Sequence, residues 1–67
     1  MHHQLTPFER ECLVWAAFQI DDAAIAARFS LPETMVRQAL EIARIKLGAS
    51  SREHAVVRAL AHGLIAL

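Results

Sequence analysis

Signals that start and stop helices divide this chain into four short stretches, and they constrain its fold more than any other feature. Thr6-Pro7-Phe8-Glu9 opens the first. Thr6 can accept from the amides at the second or third helical position, and Glu9 can reach back to the amide of Thr6. Pro7 falls where its missing N–H costs nothing. The helix predicted from this start covers residues 7–19 and runs through Leu13, Trp15 and Ala16, with no glycine to mark its end. Asp21 caps a second helix over 22–29, with Ile25, Ala26 and Phe29 on its inner face. Asp21 and Asp22 both suit the positive end of a helix dipole. Ser30-Leu31-Pro32 then breaks the chain, and Pro32 starts a third helix over 32–47 that stops at Gly48, a good left-handed cap. Ser50 with Glu53 reads as a second capping box, opening a fourth helix over 51–62 that Gly63 ends.

The content of these stretches agrees with their punctuation. Apolar residues make up 55% of the chain, Ala and Leu abound, and no run of β-branched residues argues for strands, so the fold class is all-α. Sixty-seven residues suffice for one domain with a marginal core, which a second copy of the chain would reinforce. A flexible start is expected over 1–4 and the domain over 5–67. The single cysteine cannot form an internal disulfide, which fits a reducing, cytoplasmic setting. Charged residues break every apolar stretch well short of a membrane span, and Met1-His2-His3-Gln4 does not read as a signal peptide.

Zero net charge weighs against a nucleic-acid partner, but the distribution does not. Residues 1–33 hold Arg10 and Arg28 against Glu9, Glu11, Asp21, Asp22 and Glu33, a net −3. Residues 34–67 hold Arg37, Arg44, Lys46, Arg52 and Arg58 against Glu41 and Glu53, a net +3. One basic half can still present a local phosphate-binding surface. Within the third helix, Val36, Leu40, Ala43 and Leu47 form the core stripe, spaced four, three and four apart. Thr34, Arg37, Gln38, Glu41 and Arg44 occupy the opposite arc. Arg can pair bidentately with guanine, Gln with adenine, and Glu can accept from the cytosine amino group. Arg37, Gln38 and Glu41 are therefore the candidate base readers, with Thr34, Arg44, Lys46 and Arg52 on phosphates. Periodicity alone cannot separate such an arc from the solvated face of an ordinary amphipathic helix.

An ordered set of strings separates them: LTPFERECLVWAA, IAARFSLPETMV, IKLGASSREHAVVRAL and HGLI. Together they resemble the LuxR-type (GerE-like) helix-turn-helix domain over residues 5–65, and ECLVWAA is similar to the quorum-sensing branch of that family. The resemblance implies a four-helix domain whose third helix reads the DNA major groove. It also implies a homodimer, paired through the fourth helix, on a two-fold-related site. The surface implied for that pairing comprises Val57, Leu60 and Leu64. By the same resemblance, Arg37 stands where the family often has Lys, Lys46 is the family's Lys before "LG", and Arg52 matches its "SR". Gln38 and Glu41 fall at variable positions that face the groove.

The departures are specific. Met35 replaces a usual Thr, Ala39 a usual His, Ile42 a usual Asn and Ile45 a usual Arg. Ala23 and Ala24 stand where the family has polar or charged residues. Each lost polar or cationic contact lowers affinity, and each lost cation flattens its salt dependence. Met35, Ala39 and Ile42 form a second apolar stripe beside the core. This gives an alternative reading: a protein-interaction module that pairs with a related regulator and binds DNA weakly or not at all.

The remaining chemistry-bearing residues have structural explanations. His2 and His3 are adjacent, and His54 and His62 lie two turns apart with no convergent Cys or carboxylate, so no metal site is expected. Cys12 reads as a small buried hydrophobe and Trp15 as core. Val56, Ala59 and Gly63 are expected to face the core from the fourth helix. No nucleophile–base set, Gly-rich phosphate loop or carboxylate dyad suggests an enzyme, and no cofactor is implied.

Overall fold

The computed structural model describes residues 4–67, and so 1–3 of the expected flexible start lie outside the described residues. Four helices follow in order: α1 Pro7–Ala17, α2 Asp22–Phe29, α3 Glu33–Lys46 and α4 Arg52–Ala61. α3 packs against each of the other three, and α1 also touches α2 and α4. The core is built from Leu5, Cys12, Leu13, Ile25, Val36, Leu40 and Ile65, with Ala26, Ala39, Ala43, Ala49, Ala55 and Ala59 between them. Phe8 and Phe29 meet edge to face at 5.2 Å and fasten α1 to α2.

All four helices end in the same way. Gln19, Ser30, Gly48 and Gly63 each take a positive φ, between 55° and 69°. In each case this residue's N–H donates three residues back, to the carbonyls of Ala16, Ala27, Ile45 and Leu60. The next residue's N–H (Ile20, Leu31, Ala49 or Leu64) donates five back, to Trp15, Ala26, Arg44 or Ala59. These are Schellman closures, which satisfy carbonyls that the helix leaves orphaned. Only two use glycine. Closures at Gln19 and Ser30 place α1's end at Ala17, two residues before the expected 19, and make the α2–α3 connection a three-residue turn.

The helix starts differ among themselves. α1 has the full capping box: Glu9 N donates to Thr6 Oγ1 at 3.1 Å and Thr6 N donates to Glu9 Oε1 at 2.9 Å. Asp21 caps α2 by accepting from Ala24 N at 2.8 Å. Pro32 precedes α3 as its cap residue and offers no side-chain acceptor. At α4 the expected pairing of Ser50 with Glu53 is corrected by one residue. Ser51 is the cap and accepts from His54 N at 3.1 Å, while the His54 ring Nδ1 accepts from Ser50 N at 3.1 Å. The imidazole, at the third helical position, thus does the work assigned to Glu53.

On the inner face of α4, Ala59 is fully buried and Val56 packs half-buried against the core as expected, whereas Gly63 is exposed and Ala55 is the second fully buried residue. Two alanines a turn apart suit a close contact, where a β-branched side chain would hold the backbones apart. Trp15 is half-buried rather than enclosed, and the Arg28 guanidinium lies 4.4 Å from its ring centroid. Ala39 is buried, so the second apolar stripe reduces to Met35 and Ile42, both exposed.

Cys12 is fully buried. Burial pushes its thiol from an ordinary 9.0 up to about 11, with the Asp22, Glu11 and Glu9 carboxylates adding to the shift and Arg52 opposing it. Its folded-state value lies above the unfolded one, so unfolding releases the thiol proton between those two values. Stability is therefore expected to fall as pH rises from about 9 to about 11. Urea midpoints measured across that range should converge for the wild type and Cys12→Ala as pH rises, because only the wild type carries this term. A pH-independent difference between the two would contradict the expectation.

Candidate nucleic-acid interface

α2, the turn at Ser30-Leu31-Pro32 and α3 form a helix-turn-helix whose second element is longer and more basic. α3 buries Val36, Ala39, Leu40 and Ala43, and this fixes which side chains face outward. Thr34, Arg37, Gln38 and Glu41 are exposed, and Arg44 is half-buried. Arg37, Gln38 and Glu41 line one shallow, open hollow, and Ile42 completes it. All three sequence-derived base-reading candidates therefore share a single surface feature.

The cations of the basic half are all engaged within the domain. Arg37 Nη2 lies 3.2 Å from Glu33 Oε2, one turn earlier on α3, with both side chains exposed. Arg44 donates to both carboxylate oxygens of Glu41, at 3.1 and 2.6 Å, and to the carbonyl of Ala49 at 2.8 Å. Hydrogen bonding to Arg44 holds the Glu41 carboxyl below its ordinary range and raises the Arg44 guanidinium in return. Glu41 is thus an oriented, ionised acceptor. Arg58 Nε donates to the carbonyl of Leu47 at 2.7 Å, so Arg44 and Arg58 together fix the turn into α4.

Lys46 and Arg52 are held more tightly. Lys46 Nζ donates to Glu9 Oε1 at 2.9 Å and to the carbonyl of Gln4 at 3.1 Å, joining the end of α3 to the start of α1. Glu9 is almost wholly buried, with 7% of its side chain exposed. Arg52 grips both carboxylate oxygens of Asp22 at 2.7 and 3.1 Å, joining the starts of α4 and α2. Exposed pairs such as Arg37–Glu33 contribute roughly 0–1 kcal/mol and rearrange readily. A buried carboxylate that loses its partner costs several times more. Arg37 is therefore free to turn toward a ligand, while Lys46 and Arg52 present their charges from fixed positions.

The residues implied for pairing through α4 separate into two kinds. Val57 and Leu60 are exposed, one turn apart. Leu64 is half-buried and packs on the core, beside the hollow lined by Gln4, Leu5 and Arg10. Among the described residues no helix is long and apolar enough to cross a membrane.

No family model matches the chain. In sequence it is 44% identical over 61 residues to the HTH-type quorum sensing-dependent transcriptional regulator VjbR of Brucella ovis. The match to the same-named proteins of Brucella abortus and Brucella suis has the same extent and identity. It takes in 91% of this chain and 24% of each relative, so the chain spans about a quarter of the length of the curated relatives it matches. The four-helix architecture, the turn between α2 and α3 and this likeness together support a helix-turn-helix domain of the LuxR type.

Proposed function

We propose that the domain binds DNA sequence-specifically as the output part of a transcriptional regulator, with α3 in the major groove and two copies paired through α4 on an inverted repeat. The observation that carries this reading is the common hollow of Arg37, Gln38 and Glu41 on the second helix of the motif. Arg37 pairs with guanine after releasing Glu33, Gln38 addresses adenine, and Glu41 accepts from the cytosine amino group while Arg44 offsets its charge. Thr34 and Arg44 contact phosphates. Lys46 and Arg52 offer their remaining donors to the backbone without leaving Glu9 and Asp22. Val57 and Leu60, with Leu64 behind them, supply the small isologous contact. So few mobile cations give a shallow salt dependence and modest affinity.

Fluorescence anisotropy against inverted-repeat and scrambled duplexes at several salt concentrations tests the proposal. Arg37→Ala is expected to relax specificity at one base step at a cost of about 1–3 kcal/mol, with other positions of the site unchanged. Equal, undetectable binding to both duplexes at low salt would overturn the reading.

That outcome would favour a second reading, motivated by the internal pairing of the basic half and by the exposure of Met35, Ile42 and Ile45. In it the domain pairs with a related regulator and withholds it from DNA. Co-purification with such a domain, together with absent DNA binding, would be its signature.

A further inference from the structure

Ile42 is the one member of the α3 hollow that can neither donate nor accept a hydrogen bond, and it is exposed beside three side chains that can. It follows Gln38 by four residues, so the two stand one above the other on the same side of the helix. The packing of α3 makes no use of it: the core stripe runs through Val36, Ala39, Leu40 and Ala43. A helix seated in the major groove would press this isobutyl-sized group against base edges. Those edges offer hydrogen-bonding atoms and only one apolar group, the C5-methyl of thymine. Against any other base edge Ile42 would strip water from a polar atom and return nothing. Against thymine it covers a methyl group.

We infer that Ile42 is a specificity-determining residue that selects thymine through its C5-methyl, at a base step next to the one addressed by Gln38. The inference rests on the DNA-binding reading above and adds a fourth reader to it, chemically unlike the other three. It also gives a use to a residue whose apolar character otherwise counts against DNA binding. Removing one methyl from the contact is worth about fourfold in affinity per half-site, the fold-change that corresponds to exposing one such group to water.

The test begins by selecting bound duplexes from a randomised pool with the 67-residue chain. Each thymine of the selected site is then replaced by deoxyuridine, which keeps both Watson–Crick hydrogen bonds and O4 but lacks the methyl. One thymine per half-site is expected to show the fourfold loss with wild type and none with Ile42→Ala. Placing 5-methylcytosine there is expected to bind more tightly than cytosine, again only while Ile42 is present. Thermal unfolding of Ile42→Ala checks that the variant is folded. A selected site at which no deoxyuridine effect depends on Ile42 overturns the inference and leaves the DNA-binding reading standing. A pool that yields no preferred sequence overturns both.

Discussion

Replacing Lys46 with alanine is expected to destabilise the domain by about 3 kcal/mol, through the loss of a buried partner rather than of a surface charge. Among the described residues the Lys46 ammonium is the only cation paired with Glu9, whose Oε1 otherwise accepts from Thr6 N. Without it an almost wholly buried carboxyl group is left, among the described residues, with Thr6 N as its one donor. The Gln4 carbonyl also loses its donor, and with it the tie between the chain leading into α1 and the end of α3. A domain of this length has a total stability of about 3–10 kcal/mol, so the variant sits near its unfolding threshold. Glu9→Gln in the same chain should recover much of the loss, because glutamine keeps the capping acceptor and removes the stranded charge. Urea unfolding of the wild type, both single variants and the double variant measures the coupling. A Lys46→Ala loss below about 0.5 kcal/mol, or a double variant no more stable than that single variant, would contradict the account.

Which features were legible in the sequence follows from how local their causes are. The caps at Thr6 and Asp21 and the closures at Gly48 and Gly63 are readable because the residue itself carries the chemistry. The closures at Gln19 and Ser30 are not, since neither residue type favours a left-handed backbone. Their signal lies one residue on. Ile20, Leu31, Ala49 and Leu64 are all apolar, as the residue after a Schellman turn often is, packing back on the helix it closes. At α4 two adjacent serines offered equivalent caps, and the side chain three positions after the true one is a histidine. The candidate site divides in the same way. Arg37, Gln38 and Glu41 share a surface because helical spacing puts them there, and the pairs Arg37–Glu33 and Arg44–Glu41 follow from spacings of four and three. Lys46–Glu9 and Arg52–Asp22 join residues 37 and 30 apart, where no local rule reaches. Lys46 and Arg52 therefore read as free phosphate contacts in the sequence, whereas in the fold each braces one helix against another.

Leu13→Ala is the other substitution with a large expected effect, a loss of about 3 kcal/mol or more. Leu13 is fully buried and is the largest such side chain in α1, which like α3 contacts all three other helices. Cys12, Val36, Leu40 and Ala43 belong with it to one closed core, so the space left by three lost carbons has little means of collapsing. Leu13→Met, which nearly conserves volume, should cost less than about 1.5 kcal/mol. The comparison separates packing from any role of α1 as a surface. It also separates folding from recognition. Leu13→Ala should weaken binding to inverted-repeat and scrambled duplexes by the same factor, because it depletes the folded population, whereas Arg37→Ala should discriminate between them. Conversely, a specific duplex at a hundred times its dissociation constant adds about 2.7 kcal/mol to the folded state. That is close to the expected deficit, so the duplex should return Leu13→Ala nearly to the wild-type urea midpoint measured without DNA. A Leu13→Ala variant that loses under 1 kcal/mol would show that α1 can move inward to fill the space. A variant rescued equally by scrambled DNA would place the gain in charge alone, independent of the α3 hollow.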